Sequence, residues 1–361
     1  MKRIVCFHLF NDYSGSPKVL KMVLEGMLEK GYQVDLVSSK NGVLDELLHH
    51  EGLYKYSYPY RFSSSPMVTM MRYIFVQIYT FMLAFHWLFQ KDTVFYINTL
   101  LPVGPALAGR IMGKRVVYHY HENAFVKGVF YKTLAHTMQK LADMIICVSR
   151  YQASFLKFGK GIVVIPNALS FSFTERLTPN VEKAFEGKRI LMLGSLKLYK
   201  SPLEFIDLAR NLPQFSFELV VNETQEGINR FLHKHRVCVS PNLKIYPRQN
   251  DVTTFYNRAG IVLNLSNKKE VLETFGLTAL EAMSAGLPVI VPTEGGISEM
   301  VKDGINGYKI DVQELREIAD TIDRMLSDKS LYYQLAENAL KYSRQFNAAN
   351  VIEQIENIIS M

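Results

Sequence analysis

Two glutamates flank a short glycine-containing segment that comes just before a predicted helix. Glu273 and Glu281 are separated by seven residues, and Glu281 is the only charged residue in the stretch 276–291. A carboxylate can accept two hydrogen bonds from a vicinal diol such as a ribose, and free backbone N–H groups at a helix start suit a diphosphate. This order predicts a pocket for a sugar, its diphosphate and a ribose, with the phosphate amides contributed by Phe275, Gly276, Leu277 and Thr278.

The alternative for Glu281 is a partly exposed structural glutamate. An ordinary surface glutamate would have more polar neighbours or an ion pair four residues away, and the helical neighbours of Glu281 include no basic residue. This favours the binding role.

Two histidines, His119 and His121, lie two residues apart on a predicted strand and therefore share one face of it. Metal ligation has to be considered for such a pair, but no third ligand with suitable spacing is visible. We therefore predict no metal site, and a structural role is the favoured interpretation of His119.

The elements that position these residues alternate between short β-branched runs and longer helical patterns. Several runs are apolar on both faces, which is typical of parallel sheets covered by helices. The pattern predicts an α/β fold of two tandem doubly wound, Rossmann-like domains. The predicted strands are Arg3–Leu9, Gln33–Val37, Thr93–Asn98, Arg115–Tyr120, Met144–Ser149 and Ile162–Ile165, then Arg189–Leu193, Phe215–Val221, Leu243–Tyr246, Ile261–Leu265, Val289–Val291 and Tyr308–Ile310.

The predicted domain boundaries follow from these two sets of strands. The N-terminal domain covers 1–166, a polar segment with Pro179 forms a linker over 167–187, and the C-terminal domain covers 188–346. For the last helical stretch, about 347–361, the hypothesis is that it packs back on the first domain. Because ligands bind beyond the carboxyl ends of such strands, the site is expected in a cleft between the two domains.

The composition indicates a globular protein of two domains. The chain has 361 residues, of which 48% are hydrophobic and 21% charged, and this excludes disordered, collagen-like and disulfide-scaffold classes. Cys6, Cys147 and Cys238 lie in apolar runs, so we expect free thiols in a reducing cytoplasm. We expect no cleavable signal peptide, because Lys2-Arg3 leads straight into a short strand pattern. Neither a P-loop nor a complete G-x-G-x-x-G after the first strand is present, which argues against ATP and nicotinamide chemistry.

The net charge of +7 is unevenly distributed. Through Ile165 there are 19 Lys and Arg against 10 Asp and Glu, giving +9, whereas the remainder has 22 against 24, giving −2. Such asymmetry suggests a polyanionic neighbour, either nucleic acid or the anionic face of a membrane. A solvated basic surface with no partner is the alternative.

The stretch 73–90 contains no Lys, Arg, Asp or Glu and is rich in aromatic residues. We predict no membrane span, since Gln77 and His86 interrupt the stretch and only Lys91-Asp92 separate it from the next strand. A helix buried against the first sheet is the favoured interpretation. The alternative is a helix whose aromatic side lies in a membrane interface.

The segment that starts at Glu273 resembles the retaining glycosyltransferases of family 4, which have the GT-B fold. The resemblance is specific because several parts keep their order and spacing, and it extends more loosely to other parts of the chain. The specific parts are Glu273, Glu281-Ala282-Met283, Gly286-Leu287-Pro288-Val289-Ile290 and Gly295-Gly296-Ile297-Ser298-Glu299; the looser ones are Ser14-Gly15-Ser16, His121-Glu122, Ser149, Ile165-Pro166-Asn167 and Gly194 through Lys200.

The resemblance implies a role for each matching residue. Glu273 is implied to contact hydroxyls of the transferred sugar, Glu281 to hold the ribose, and Lys200 to contact the leaving diphosphate. His121 is implied to face the donor sugar from the first domain, and Gly15 to belong to a turn near donor and acceptor. Phosphate is implied to lie on the amides of Phe275, Gly276 and Leu277.

One residue departs from the family pattern. The family usually has Gly-Arg-Leu before its lysine, whereas this chain has Gly194-Ser195-Leu196. Another cation has to take the place of the missing arginine, and Lys197, Lys268 and Lys269 are candidates.

The sequence as a whole predicts a retaining glycosyltransferase that moves a sugar from a nucleotide diphosphate sugar to an acceptor hydroxyl. No cofactor or obligatory divalent metal is expected. The expected acceptor is a saccharide or lipid-linked saccharide in surface polysaccharide assembly, at the cytoplasmic face of a membrane. The alternatives are a GT-B nucleotide-sugar epimerase and a noncatalytic nucleic-acid-binding protein, and we predict no nucleic-acid partner because the second half is acidic and contains no recognisable nucleic-acid motif.

Overall fold

The computed structural model describes residues 2–158 and 161–361. The chain divides into two compact units, one made of the chain up to Ala168 together with Asn347–Met361, the other of Leu169–Phe346. Each unit contains one parallel sheet with helices around it, so the predicted fold class is confirmed.

The described residues form thirteen strands in two sheets. The first sheet has seven strands in the order β3-β2-β1-β4-β5-β6-β7, and the second has six in the order β10-β9-β8-β11-β12-β13. The strands are β1 (Arg3–His8), β2 (Gln33–Ser39), β3 (Leu53–Tyr58), β4 (Thr93–Asn98), β5 (Arg115–Tyr120), β6 (Met144–Cys147), β7 (Ile162–Val164), β8 (Arg189–Gly194), β9 (Ser216–Val221), β10 (Leu243–Tyr246), β11 (Ile261–Leu263), β12 (Val289–Val291) and β13 (Gly307–Lys309).

Helices connect successive strands, as parallel pairing requires. Short 3₁₀ segments cover Val43–His49, Phe85–Trp87, Ala124–Val126, Leu198–Lys200 and Gly296–Met300. The α-helices are α1 (Gly15–Glu29), α2 (Pro66–Ala84), α3 (Val103–Ile111), α4 (Val129–Leu141), α5 (Arg150–Ala153), α6 (Phe171–Thr174), α7 (Val181–Gly187), α8 (Pro202–Asn211), α9 (Gln225–Lys234), α10 (Thr253–Tyr256), α11 (Leu277–Ser284), α12 (Leu315–Ser327), α13 (Lys329–Ser343) and α14 (Ala348–Ser360).

The sequence pattern did not predict one of the strands, and it predicted a linker where the structure has short helices. β3 is the edge strand of the first sheet and is only partly buried, so its polar, aromatic sequence gave no clear apolar run. The segment 167–187, expected as a linker, contains the short helices α6 and α7 and belongs mostly to the second unit. Leu177 and Ala184 are buried there, which explains why the segment is ordered structure and not a spacer.

The C-terminal helix α14 is part of the first unit. Lys30 at the end of α1 forms an ion pair with Glu356 at 2.5 Å, and the Tyr32 hydroxyl lies 3.0 Å from the Ser360 hydroxyl. Gly26 allows the close contact, because a Cβ there would lie 2.4 Å from the Ile352 side chain. The first domain is therefore completed by the last residues of the chain.

Helix α2 lies between β3 and β4 and packs against α3 through a narrow stripe. Its buried residues are Val76, Thr80 and Ala84. A Cβ at Gly104 of α3 would lie 2.2 Å from the Gln77 carbonyl oxygen, and the Gly104 amide donates to Gln77 Oε1 at 2.9 Å. The small residue lets the two helices approach closely, so few side chains of α2 are needed for the contact.

The remaining surface of α2 exposes large apolar side chains. Phe75 is 62% exposed, Ile78 60% and Met82 64%. The favoured interpretation of a helix buried against the sheet is therefore wrong for this face of α2, whereas Tyr73, Phe81 and Leu83 on its other side are partly buried against the core. Just after the helix, Trp87 is fully buried and its indole N–H donates to Asp35 Oδ2 at 2.7 Å. By length and composition alone, the segment Pro66–Trp87 could cross a membrane.

Candidate functional site

Three neighbouring strands of the second sheet lead into the segments that carry the predicted donor site. β11 pairs with β8 on one side and with β12 on the other, all in parallel. β8 is followed by the 3₁₀ turn that ends at Lys200, β11 by Ser266 and Glu273, and β12 by the glycine pair at 295 and 296. Because parallel strands end at the same edge, these segments meet there.

Lys200, Glu273 and Ser266 form one polar cluster at this edge. The Lys200 ammonium forms an ion pair with Glu273 Oε1 and donates to Ser266 Oγ at 3.2 Å. The Ser266 hydroxyl in turn donates to Glu273 Oε1 at 2.7 Å. Two of the predicted catalytic residues, 73 positions apart in the chain, are thus in direct contact.

The electrostatics of the cluster keep Glu273 ionised. Burial by itself would raise the pKa of its carboxyl, but attraction to Lys200 and hydrogen bonds from Lys200, Ser266 and Asn264 outweigh it and lower the pKa. An ionised carboxylate accepts hydrogen bonds and donates none. Glu273 can therefore receive the hydroxyl groups of a sugar.

Two glycines hold the backbone around Glu273 in a shape that other residues would strain. Gly295 has φ +115°, and a Cβ there would lie 2.8 Å from the Glu273 carbonyl oxygen, which accepts the Gly296 amide at 2.7 Å. Gly276 has φ +88°, and its Cβ would lie 2.4 Å from Ile297. The loop after β12 thus fixes both Glu273 and the start of α11.

The start of α11 presents backbone donors. The helix begins at Leu277, and the first N–H groups of a helix have no acceptor within it. In the part of the chain that the structure describes, no hydrogen bond engages the amides of Phe275, Gly276, Leu277 or Thr278. Together with the positive end of the helix dipole, these amides can bind a phosphate group.

Glu281 lies inside α11 and is buried, with 8% of its surface exposed. The Tyr256 hydroxyl donates to Glu281 Oε2 at 2.5 Å. Burial and the nearby carboxylate raise the pKa of Tyr256 well above its usual range, so the hydroxyl remains a donor. Glu281 is four residues after the helix start, about 6 Å along the axis, and the contact with Tyr256 occupies part of its capacity to accept hydrogen bonds.

The cations considered as substitutes for the missing arginine lie in different surroundings. Lys268 forms an ion pair with Asp311 at 2.5 Å, and the Lys197 ammonium lies 5.6 Å from the centre of the Tyr199 ring. Arg248 was not among the residues considered for this role from the sequence. Its Nε donates to Asn222 Oδ1 at 2.6 Å, and the backbone N–H of Asn222 donates to the Gly194 carbonyl oxygen at 3.0 Å. A guanidinium is thus held near the Gly194-Ser195 segment.

In the first unit, His121 follows β5 and contacts Asn98 of β4, which in turn contacts His8 of β1. His121 Nε2 lies 3.1 Å from Asn98 Oδ1, and Asn98 Nδ2 lies 3.0 Å from His8 Nδ1. His8 Nε2 lies 2.9 Å from the Phe10 carbonyl oxygen. Burial lowers the pKa of His121 well below its usual range, and the neighbouring His119 and His8 lower it further.

His119 points to a different partner. It is buried, and its Nδ1 lies 2.7 Å from the Tyr96 hydroxyl, while its ring lies 4.1 Å from that of His121. Among residues 2–158 and 161–361, no group of three or more His, Cys, Asp or Glu side chains is placed to hold a metal ion. His119 has the surroundings of a structural histidine.

Gly15, the remaining predicted residue, is the first residue of α1. The amide and hydroxyl of the preceding Ser14 both donate to Asp12 Oδ1, at 3.0 and 2.6 Å. The turn after β1 is thus stabilised by Asp12, and Gly15 lies at the carboxyl edge of the first sheet.

Several contributors to these clusters were not identified from the sequence. Ser266 and Tyr256 contact the two glutamates, and Asn98 and His8 lie beside His121. Asn98 ends a predicted strand and lies in the sheet beside β1 and β5, so strand pairing could have pointed to it. The contact of Tyr256 depends on how α10 packs and left no pattern in the sequence.

Two family models match the chain. The model described as Glycosyltransferase Family 4 matches residues 13–173, and the model described as Glycosyl transferases group 1 matches residues 174–342. Together they match residues 13–342, which includes most of each unit. The chain is a GT-B glycosyltransferase of the family 4 kind. The residues matched by the second model include Lys200, Glu273, Glu281 and the start of α11.

Individual proteins agree with this assignment. An uncharacterized glycosyltransferase of Haemophilus influenzae is 21% identical over 99% of this glycosyltransferase and 100% of its own length. N-acetyl-alpha-D-glucosaminyl L-malate synthase of Bacillus anthracis is 33% identical, over 31% of this chain and 28% of its own. The crystal structure of Anabaena Alr3699/HepE in complex with UDP and glucose has a TM-score of 0.79 at 20% identity and full coverage of both chains.

The buried histidines of this glycosyltransferase predict a loss of stability in mild acid. Burial lowers the pKa of His8 to about 4 and that of His119 to about 3, against 6.5 for an exposed histidine. Below pH 6.5 the unfolded chain therefore binds protons that the folded chain does not, and the free energy of unfolding falls as the pH falls. Each unit of pKa difference is worth about 1.4 kcal/mol, so the loss should appear in denaturant titrations between pH 6.5 and 4.

A matched pair of variants tests this explanation. His119→Gln keeps an acceptor for the Tyr96 hydroxyl and should make the loss of stability shallower, whereas the same change at the exposed His233 should not. If the two variants show the same pH dependence as the wild type, the buried histidines are not its source.

Proposed function

We propose that this glycosyltransferase transfers a sugar with retention from a nucleotide diphosphate sugar to an acceptor hydroxyl. The observation that carries the proposal is the cluster of Lys200, Glu273 and Ser266 next to the backbone amides at the start of α11. The cluster combines a cation and amide donors, which suit a diphosphate, with an ionised carboxylate, which suits sugar hydroxyls.

The chemical difficulty in such a transfer is separation of charge. As the glycosidic bond breaks, the sugar gains oxocarbenium character and the diphosphate gains negative charge. Lys200 and the amides of Phe275, Gly276 and Leu277 would stabilise that negative charge in the transition state. The proposed mechanism is a front-face substitution in which the departing phosphate accepts the acceptor's proton, and Glu273 positions the sugar without forming a covalent bond.

For the donor we propose a UDP-sugar. The support is the solved Anabaena structure, whose crystals contain UDP and glucose in one case and UDP-glucose in another. Glu281 would hold the ribose, and Tyr256 would fix the carboxylate that does so. A GT-B nucleotide-sugar epimerase is the competing function, and product analysis for a new glycosidic bond separates the two.

Substitution of the two glutamates should affect different steps. Glu281→Gln removes the charge that receives the ribose hydroxyls, and loss of a charge-assisted hydrogen bond is worth about 1.5–3 kcal/mol. We expect UDP affinity to fall roughly 10- to 100-fold in calorimetric titration. Glu273→Gln should leave UDP affinity near the wild-type value and lower kcat with the sugar donor.

Tyr256→Phe is the control for indirect effects of Glu281→Gln. It removes the tyrosine hydroxyl and leaves the carboxylate in place, so UDP binding should weaken much less. Wild-type UDP affinity in Glu281→Gln would contradict the ribose assignment.

We propose that turnover needs no divalent metal, because Lys200 and the helix amides would together stabilise the charge of the leaving group. Activity should survive EDTA, whereas Lys200→Ala should lower kcat by about 100-fold or more. Loss of activity in EDTA with recovery in Mg²⁺ or Mn²⁺ would show that a metal stabilises the leaving group. Lys183→Ala, at an exposed lysine of α7 with no assigned role in the site, is the control.

For the acceptor we propose a lipid-linked saccharide of surface polysaccharide assembly, reached at the cytoplasmic face of a membrane. The support is the exposed apolar face of α2, which we define as Met67, Met71, Ile74, Phe75, Ile78 and Met82. The Tyr73 ring, on the packed side of α2, lies 5.8 Å from Phe130 at the start of α4, where Val129 and Phe130 are also exposed.

The charges around the α2 face complement an anionic lipid surface. The sequence has no Asp or Glu between Glu51 and Asp92 or between Glu122 and Asp143. Exposed cations lie near the face: Arg61 and Arg72 by the first turns of α2, and Lys127 and Lys132 on either side of Phe130 in the sequence. An amphipathic surface of this kind binds the membrane interface through apolar area and cations together.

The purified protein should sediment with phosphatidylglycerol vesicles and be released by high salt, because attraction between exposed charges is screened beyond about 8–10 Å at physiological ionic strength. Retention on phosphatidylcholine vesicles should be much weaker. The triple variant Phe75→Gln, Ile78→Gln, Met82→Gln should lose vesicle binding and keep its melting temperature, since these side chains are exposed.

The control replaces three equally exposed apolar residues outside the α2 face, Leu48, Phe171 and Ile305, by Gln. It should bind vesicles like the wild type. A wild-type protein that ignores anionic vesicles, or that forms an α2-dependent dimer in sedimentation velocity, would overturn the membrane proposal.

A further inference from the structure

The contacts that surround His121 form a chain anchored on a backbone carbonyl. The chain runs from the Phe10 carbonyl oxygen through His8 and Asn98 to His121, with distances of 2.9, 3.0 and 3.1 Å. His8, Asn98 and the residue before His121 belong to three neighbouring strands, β1, β4 and β5, and His8 is in register with Asn98. The donor and the acceptor of each hydrogen bond can be assigned in turn, starting from the Phe10 carbonyl.

The Phe10 carbonyl can only accept, so His8 Nε2 must carry a proton. Burial lowers the pKa of His8 to about 4, and the neutral ring therefore has an unprotonated Nδ1. That nitrogen accepts from the Asn98 amide group, which settles how the Asn98 side chain is oriented. Its oxygen then faces His121 Nε2 and accepts a proton from it.

We infer that Asn98 and His8 are positioning residues that hold His121 as its Nε2–H tautomer, so that Nδ1 is the ring nitrogen that can accept a hydrogen bond. A free neutral histidine can exchange between two tautomers. Here, a change of tautomer at His121 would require Asn98 to turn its amide group and His8 to break its hydrogen bond with the Phe10 carbonyl. Both residues are buried, and a buried polar group left without a hydrogen-bond partner is destabilising.

The inference gives His121 a defined chemical role. In this neutral tautomer, His121 can accept a hydrogen bond from a hydroxyl group at Nδ1 and cannot donate one from that atom. The substrate part of the inference, a sugar hydroxyl, rests on the proposed function. The tautomer itself is a property of the free protein and can be measured without any substrate.

The first experiment uses the wild-type full chain labelled with ¹⁵N-histidine. Long-range ¹H–¹⁵N correlation spectra at pH 7 should show His121 with a protonated Nε2 and an unprotonated Nδ1, assigned by comparison with His121→Gln. An Nδ1–H tautomer, or an averaged mixture of the two, would overturn the inference whether or not the protein transfers a sugar.

The second experiment uses Asn98→Asp, which keeps the shape of the side chain. An aspartate oxygen cannot donate to His8 Nδ1, and its charge favours the imidazolium form, so the pKa of His121 should rise by about one to three units. The variant should lose kcat at low pH, where Nδ1 becomes protonated, and recover it as the pH rises. A merely structural defect would lower activity equally at all pH values.

His119 is the internal control, because it contacts Tyr96 and not Asn98. Its tautomer should be unchanged in Asn98→Asp. If that variant does not fold, the wild-type spectrum still decides between the outcomes. Confirmation of the tautomer without sugar transfer would leave the positioning intact and remove the proposed function.

Discussion

The parallel hydrogen-bond ladder is the constraint on which both clusters depend. In a parallel sheet every strand points the same way, so the segments after each strand gather at one edge however far apart they are in the sequence. In the second sheet this brings Lys200 after β8 to Ser266 and Glu273 after β11. In the first sheet it pairs His8 with Asn98, 90 residues later, and places His121 beside them. A slip of one residue in either register would turn these side chains to the opposite face of the sheet.

Burial disfavours the charged form of the ionisable groups in both clusters, but the neighbouring groups decide which form each residue adopts. Glu273 is desolvated, yet the adjacent ammonium and hydroxyl donors keep it ionised. His121 is desolvated and has other histidines as neighbours, so its neutral form is favoured. One cluster is therefore charged and suited to a polar, anionic ligand, and the other is neutral and suited to hydrogen bonding with hydroxyl groups.

The exposed face of α2 shows how little contact a crossover helix needs when a glycine allows close approach. The helix is attached by the contact at Gly104 and by a row of buried and partly buried side chains on one side, and its opposite face remains exposed. A soluble protein rarely leaves a contiguous apolar surface of this kind without a partner. The absence of carboxylates in the sequence around it limits the partners with which it is compatible.

The sequence by itself determined the fold class, the strands other than β3 and the segment that carries Glu273, Gly276 and Glu281. Apolar periodicity and the spacing of a local motif are enough for that, because strands buried on both faces and a helix start leave local patterns. Tertiary structure alone decided that Lys200 pairs with Glu273, that Tyr256 reaches Glu281 and that Asn98 links His8 to His121. It also decided that α2 is exposed, since an apolar helix has the same composition whether it faces a core or a membrane. Contacts between distant residues depend on how elements pack, and that packing leaves no periodic trace in the chain.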